Sequence, residues 1–551
     1  MTTTSVDTSA TRTLPGGSAR PYAGYGALLR LALRRDRIKL PAWVLGITFF
    51  TGYFANALQV AYPDQADLDA IMGFMDSPAG IVMSGPGFGF DNPTHAITFA
   101  GGYGIWLMIP TAFMSILLVG RHTRFEEEAG RLELIRAGVV GRQAPLAVAG
   151  TLAVAANLLL FLLTTVLVGA AYDYPGGALF AASLVMVGLV FAGVALVSAQ
   201  LAEHSRSATA LASLAVGAAV VIRGAGDVLK DGGSWLSWLS PIAWAQQTRV
   251  FYDGRWWPLA LGLVAAVATW LIGTRLLATR DVGAGILPTR LGHPRAAGWL
   301  SSPWAVAFRL ERGAILGWSL AVLVLGVLYG ALTDSIATSM ADTENQILLD
   351  AMGGDPSRMV DGYLATDAFF NAFIAACYVL VAAHRLVKEE REGRAEVALA
   401  ARVSRQVWLL ATVMVSLLGG LIVLIAAGLG MGIGTAASTG DVAYLGTMLN
   451  AHLVYLPALA VFLSLAALGF AFRPGWLNLA WIPAVYAIVA SYLGIILDLP
   501  QWALNMSPLE HVAMAPLETQ AAIPLVWLSV IAVALTAGAA VRFRSRDLTS
   551  G

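Results

Sequence analysis

Glu126-Glu127-Glu128-Ala129-Gly130-Arg131-Leu132-Glu133 is a charged octet between two long apolar stretches, and the chain repeats it as Glu389-Glu390-Arg391-Glu392-Gly393-Arg394-Ala395-Glu396. A shift of 263 positions superposes the two, and nine of the eighteen residues from 126 to 143 are then identical. Average residue usage would give roughly one match. The identities continue past the octet to Ala137/Ala400, Val140/Val403, Arg142/Arg405 and Gln143/Gln406. The chain therefore reads as two copies of one unit, each presenting one charged loop.

The unit is a membrane unit. Of the 551 residues, 58% are apolar and 12% charged, with a mean hydropathy of +0.71. A soluble chain carries about twice that charge. The net charge is zero, so no basic excess points to nucleic acid. Cys377 is the sole cysteine, which excludes an intrachain disulfide and a Cys-x-x-Cys metal or redox pair.

Twelve apolar stretches are long enough to cross a bilayer: 41–60, 99–120, 145–171, 178–201, 208–229, 257–277, 314–332, 366–386, 407–432, 442–470, 476–497 and 522–541. An even count puts both termini on one side. The segments on that side hold 29 of the 34 basic residues, which makes it the cytoplasmic side. The expected fold is all-α and integral to the membrane, two fused six-helix repeats making twelve transmembrane helices. Its parts are a tail and interfacial helix (1–40), a first half (41–277), a linker with a second interfacial helix (278–312), a second half (313–541) and a tail (542–551).

Two further echoes support the duplication. Arg34, Asp36, Arg37 and Trp43 recur as Arg309, Glu311, Arg312 and Trp318 at an offset of 275. With Arg30, these arginines suit helices lying at the cytoplasmic surface. Ser240-Pro241 recurs as Ser507-Pro508, ahead of the last span of each half. Two acidic segments face the opposite side, 61–98 with the glycine-rich run Ser84–Phe90, and 333–365. Residues 230–256 and 498–521 are rich in Trp and Pro and suit short helices dipping into the outer leaflet.

The chain lacks the motifs of nucleotide hydrolysis. A phosphate-binding loop needs a lysine after its second glycine, and Lys39, Lys230 and Lys388 all follow other residues. There is no His-Glu-x-x-His and no Gly-x-Ser-x-Gly. His122 and His384 read as polar caps of the second and eighth spans. Arg223 and Asp227 lie one helical turn apart, where they can pair and reach for the surface. The remaining intramembrane polar residues read as neutral, Asn157, Asn371, Ser464 and Asn478 among them. That disfavours ion coupling, which needs buried carboxylates or arginines. It favours a path for a bulky apolar or amphipathic molecule.

With these features the chain resembles the ABC-2-type exporter permeases (the type V exporter kind), in the actinobacterial branch tied to polyketide antibiotic, tetronasin-resistance-like export. The likeness runs along essentially the whole chain. It rests on the two Glu-Glu-x-x-Gly-Arg-x-Glu loops, the span layout and the Ser-Pro segments. It implies a multi-pass protein of the bacterial cell membrane with both termini cytoplasmic. It also implies two copies of a separate ATP-binding subunit docked beneath, with ATP and Mg on those partners, no cofactor on this chain and no enzyme site of its own. The substrate would be a hydrophobic small molecule. By resemblance Glu127, Gly130, Arg131 and Glu133 form the first coupling segment, and Glu390, Gly393, Arg394 and Glu396 the second. Spans two, five, eight and eleven would line the cavity, with Trp106, Phe113, Phe370, Phe373 and Tyr486 as wall residues. This chain departs from the commonest pattern in fusing the halves and in its long outer loops. Arg136 faces Leu399 and Glu128 faces Arg391, so the two loops are not equal. Two other classes remain: a proton-coupled secondary transporter, whose usual Asp-Arg-x-Gly-Arg loop is absent, and a membrane transferase using Asp64, Asp67 or Asp69.

Overall fold

The computed structural model describes residues 21–76, 78–131, 140–281, 283–287, 295–334, 337, 356–401, 403–493 and 499–548. Among these there is no strand, so the backbone polar groups are satisfied within helices, as a bilayer requires. The chain divides into two units, 1–292 and 293–551.

In the first unit α1 (Tyr25–Asp36) leads through a 59° bend into α2 (Lys39–Ala61). Short helices α3 (Gln65–Met75) and α4 (Pro78–Ser84) follow. A helical lead-in with a wide π-turn at Phe99–Tyr103 then enters α5 (Gly104–His122). α6 (Arg124–Glu128) begins the charged loop. The remaining helices are α7 (Ala144–Ala171), α8 (Tyr174–Leu201), α9 (Ser205–Val228), the short α10 (Pro241–Gln246) and α11 (Pro258–Thr279). α8 is the axis, packed by α5, α7, α9 and α11. Most of its residues are buried, which accounts for its uniformly apolar sequence. Asp173 sets its start by accepting the Gly176 amide at 2.7 Å, with Pro175 in the first turn, where a missing N–H costs nothing.

The second unit has α12 (Pro303–Gly330), α13 (Pro356–Arg391), α14 (Arg394–Ala400), α15 (Arg405–Thr439), α16 (Ala443–Leu453), α17 (Leu456–Phe472), α18 (Trp481–Leu493) and α19 (Ala522–Arg544). Ser302 and Ser404 cap α12 and α15. α12 lies along α15 at backbone distance. Gly326 and Gly330 of α12 meet Gly430 and Gly434 of α15. A Cβ added at Gly326 would stand 2.6 Å from the Met431 amide nitrogen, and one at any of the other three would overlap the facing backbone. Small residues four apart on both helices permit this approach. The two offsets place Thr51, Ala55, Leu167 and Ala171 at the matching sites of α2 and α7, so the first unit has no glycine at any of the four.

Ten helices are long and apolar enough to cross a membrane, and the bent α1–α2 pair makes an eleventh. The twelve expected are not reached among the described residues. The stretch not matched is 476–497, where a 3-10 segment (Pro474–Ala480) leads into α18, described as far as Leu493; residues 494–498 lie outside the described residues. The chain is a multi-pass membrane protein by these helices.

Arg223 and Asp227 do pair, 3.5 Å apart, but both are fully buried and do not reach for the surface. Arg223 donates to the carbonyls of Ile81 and Val82 at 2.9 and 2.8 Å, and Ser237 donates to Asp227 at 2.6 Å. The pair pins α4 and the 230s turn to α9. The glycine-rich run packs on the turn after α10. Gln246 donates to the Ser84 carbonyl at 2.6 Å, and the Arg249 guanidinium sits 4.2 Å over the Phe88 ring. Ser240 and Ser507 make the same cap, each accepting the amide two residues on at 3.3 Å.

Candidate functional site

The two charged loops are built alike. In each, a glycine takes a left-handed backbone, φ 69° at Gly130 and 71° at Gly393. Nothing lies within 4 Å of an added Cβ at either. Backbone conformation, not space, is what keeps glycine there. The turn brings an arginine back onto the first glutamate. Arg131 makes paired bonds with Glu126 at 2.8 and 3.1 Å, and Arg394 with Glu389 at 2.9 and 2.8 Å. These bonds raise both guanidinium groups above their ordinary values. Both arginines stay substantially exposed.

The second glutamate of each loop turns inward. Arg280, just past α11, grips both oxygens of Glu127 at 2.7 Å, and the Gly283 amide adds a bond of 2.8 Å. Arg124 joins from α6 at 2.9 Å and also bonds the carbonyls of Glu203, Gly283 and Ala284. Arg280 is held in turn by Gln200 at 2.7 Å. In the second unit Glu390 is bonded by Arg546, just past α19, whose guanidinium lies over the Phe470 and Phe543 rings. Arg142 donates to the Arg280 carbonyl at 3.5 Å and to that of Leu277 at 3.0 Å; Arg405 donates to the Arg546 carbonyl. Thus a repeated loop glutamate and a repeated arginine both fasten the end of the last helix in each unit.

Helices α1 and α12 are fastened by another repeated pair of carboxylates, although α12 runs on as one helix from 303 to 330 with no separate interfacial helix before it. Asp36 of α1 bonds Arg121 at 3.1 Å and His122 at the end of α5. Glu311 of α12 bonds Arg385 near the end of α13. Both carboxylates are 2% exposed, so His122 is a hydrogen-bond partner of a buried carboxylate as well as a cap. His384 bonds Asn478 at 2.8 Å.

The structure sorts the expected coupling residues into two sets. Arg131, Arg394 and Glu396 are on the surface, with the glycines at the turns. Glu127 and Glu390 are not free to meet a partner, being engaged within their own units. Glu133 lies outside the described residues. Arg30, Arg34, Arg37, Arg309 and Arg312 are exposed along α1, its C-cap included, and α12. Arg35, which sequence reasoning passed over, bonds Glu126 at 2.7 Å. Glu128 takes the Ser205 amide at 2.9 Å at the start of α9; its counterpart by offset is Arg391, so that tie has no acidic equivalent. Arg280 and Arg546 were also missed. The available signal was a polar-facing arginine immediately after the last span of each half.

The expected cavity residues are not brought together within either unit. Trp106 lines a groove of about 590 Å³ with Lys39, Trp43, Phe50, Phe54 and Pro110. Phe113 packs on the core of the first unit. In the second unit Phe370 is exposed, Phe373 half-buried, and Tyr486 donates to the Ala503 carbonyl at 2.5 Å.

Residues 300–544 match a family described as the C-terminal domain of the multidrug efflux system permease Rv1217c. Over 563 aligned residues, spanning the whole of both chains, the protein is 34% identical to the multidrug efflux system permease protein Rv1217c of Mycobacterium tuberculosis (strain ATCC 25618 / H37Rv). A likeness of that extent over repeated loops, interfacial helices and spans alike means that this chain belongs to the multidrug efflux system permease family.

Proposed function

We propose that this chain is the permease of an ATP-driven exporter of the ABC-2, type V kind, moving hydrophobic or amphipathic small molecules out of the cell. Two copies of a separate ATP-binding subunit carry ATP and Mg and dock on the two charged loops; this chain has no catalytic site. Both termini and both loops lie in the cytoplasm. The observation carrying this reading is the doubled loop, in which an exposed arginine sits on a glutamate-held turn while the neighbouring glutamate grips the end of the unit's last helix. A push on the turn then moves α1 through Arg35, α9 through Ser205 and α11 through Arg280 in the first unit. Such a linkage suits transmission of a partner's motion to spans that alternate between two openings. The groove beside Trp106 supplies an aromatic, apolar surface for a lipophilic passenger.

The test is affinity purification of the full chain from its native membrane. A P-loop ATPase co-purifying at two copies per chain, and lost when Arg131 and Arg394 are both changed to Glu, is the expected result. A chain that purifies alone and intact, with export surviving ATP depletion, overturns the reading.

A further inference from the structure

The second unit holds an ionisable cluster buried within two helices long and apolar enough to cross a membrane, Asp367 in Val360–Arg391 and His452 in Ala443–Phe472. Asn371, one turn beyond Asp367, donates from Nδ2 to Asp367 Oδ2 at 2.7 Å, and the same nitrogen stands 3.4 Å from His452 Nε2. On its other side the ring bonds the Met448 carbonyl from Nδ1 at 2.7 Å. A carbonyl only accepts, so Nδ1 carries the ring proton and Nε2 offers a lone pair. One amide therefore bridges two bases, giving one N–H to each.

All three side chains are enclosed: Asp367 is 9% exposed, Asn371 3% and His452 0%. Among the described residues neither Asp367 nor His452 forms an ion pair with an arginine or lysine, unlike the buried carboxylates of the charged loops. Among the described residues the ionisable groups facing Asp367 are Tyr329 of α12 and Tyr363 of α13, and the Tyr363 hydroxyl is spent on the Tyr329 carbonyl at 2.8 Å. Asp361 and Asp441 act on Tyr444 at the head of α16, and Glu510 and Glu518 on Tyr455 just past its end. α15 contributes only Arg405, at its far end, and α17 has no ionisable residue. A lone carboxylate in such a place is costly unless a proton or a positive charge offsets it.

The repeat does not need this cluster to fold. The 263 offset places Gly104 and Met108 where Asp367 and Asn371 stand. The fourth long helix of the first unit, α8, is also unbroken, whereas its counterpart stops at Leu453 and resumes at Leu456. Pro457 lacks the N–H that would have met the Leu453 carbonyl, and the span Ala443–Phe472 is interrupted at Val454–Tyr455, two residues past His452.

We propose that Asp367, Asn371 and His452 form an intramembrane proton-binding site at the broken span of the second unit. Hydronium gives up one proton to His452 Nε2 or to the Asp367 carboxylate and leaves as water, and no other covalent bond changes. On the ring, the proton makes Nε2 a donor facing the Asn371 N–H, so the amide must turn its oxygen inward and release Asp367. Loading the site thus rearranges hydrogen bonds beside the α16–α17 break. The ligand is a proton because among the described residues no third His, Cys, Asp or Glu completes a metal shell. The site's enclosure also leaves no room for an organic cation.

The experiment is infrared difference spectroscopy of the full chain in lipid nanodiscs across pH steps, in H2O and D2O. It needs no partner subunit, so its outcome is separable from that of the exporter reading. We expect the carbonyl stretch of a protonated carboxyl group to fade as pH rises in the parent protein and to be lost in Asp367→Asn. His452→Gln and Asn371→Leu keep Asp367, and each should move the midpoint of that band by about one pH unit or more, as for two coupled groups. If Asp367→Asn does not yield folded protein, these two variants carry the test. A band unchanged in Asp367→Asn, no titrating band in the parent, or an unmoved midpoint in both His452→Gln and Asn371→Leu overturns the proposal.

Discussion

Truncating Glu127 to alanine should damage the first unit far more than its place in a charged loop implies. Glu127 and Arg280 are each 5% exposed, and the carboxylate takes four hydrogen bonds, two from Arg280 and one each from Arg124 and the Gly283 amide. Removing it leaves two adjacent buried guanidinium groups without a counter-charge. Breaking a buried pair from one side costs about 3–5 kcal/mol. At 1.4 kcal/mol per decade, that is about two to four powers of ten in the folded population. Arg280→Met alone should be of similar size. In the double variant the two penalties should fall short of their sum by about 2 kcal/mol, because the second change removes the charge that the first stranded. The assay is reversible unfolding in mixed detergent micelles, followed by tryptophan fluorescence, with Glu392→Ala as control. Glu392 is an exposed partner of Arg394 and Lys388, and losing it should cost no more than about 1 kcal/mol. If Glu127→Ala stays within about 0.5 kcal/mol of the parent, or the two single penalties simply add, the linkage of loop to last helix is refuted.

Changing Gly393 to alanine should cost about 1–2 kcal/mol by forcing a Cβ into the left-handed region, while asparagine should cost less; thermal unfolding of the pair separates strain from packing. Arg223→Met should strand Asp227 and free the carbonyls of Ile81 and Val82, and limited proteolysis should then cut the 61–98 segment faster; an unchanged cleavage rate contradicts the pinning. Reversing Arg131 and Arg394 together removes the paired bonds to Glu126 and Glu389 and should cost about 1 kcal/mol per loop, leaving the protein folded, yet abolish ATPase co-purification. Equal recovery of the partner from that variant argues against docking at these turns.

The duplication and the helical, multi-pass character were legible because both live in local sequence, as repeats and as the length of apolar runs. The glycine in each loop was legible as a turn, and its φ supplies the reason. What sequence did not disclose was who holds whom. Glu127 meets an arginine 153 positions away, and Glu390 one 156 away. Loop glutamates that face inward look the same in sequence as glutamates that face out. His122 was read as a cap, although it hydrogen-bonds Asp36 of a helix far away in sequence. Asp367 lay within an apolar stretch whose average hid it, and Asn371 read as merely neutral because its bridging role depends on His452 across a helix interface. The twelfth span is not confirmed among the described residues, because 476–497 begins with a 3-10 segment and its last residues lie outside them.

The glycine-lined contact between α12 and α15 makes the two repeats mechanically unlike. Where backbones touch, no side chain can swivel to absorb a change of angle, so those two helices behave as a single girder. In the first unit the corresponding positions of α2 and α7 carry threonine, leucine and alanine instead of glycine, so that pair lacks the same backbone-to-backbone seam. A chain made by doubling one unit has thus kept the bonds that latch its loops while hardening one copy. Fusion into one polypeptide allowed this, since a symmetric pair of identical subunits cannot stiffen one side without stiffening both.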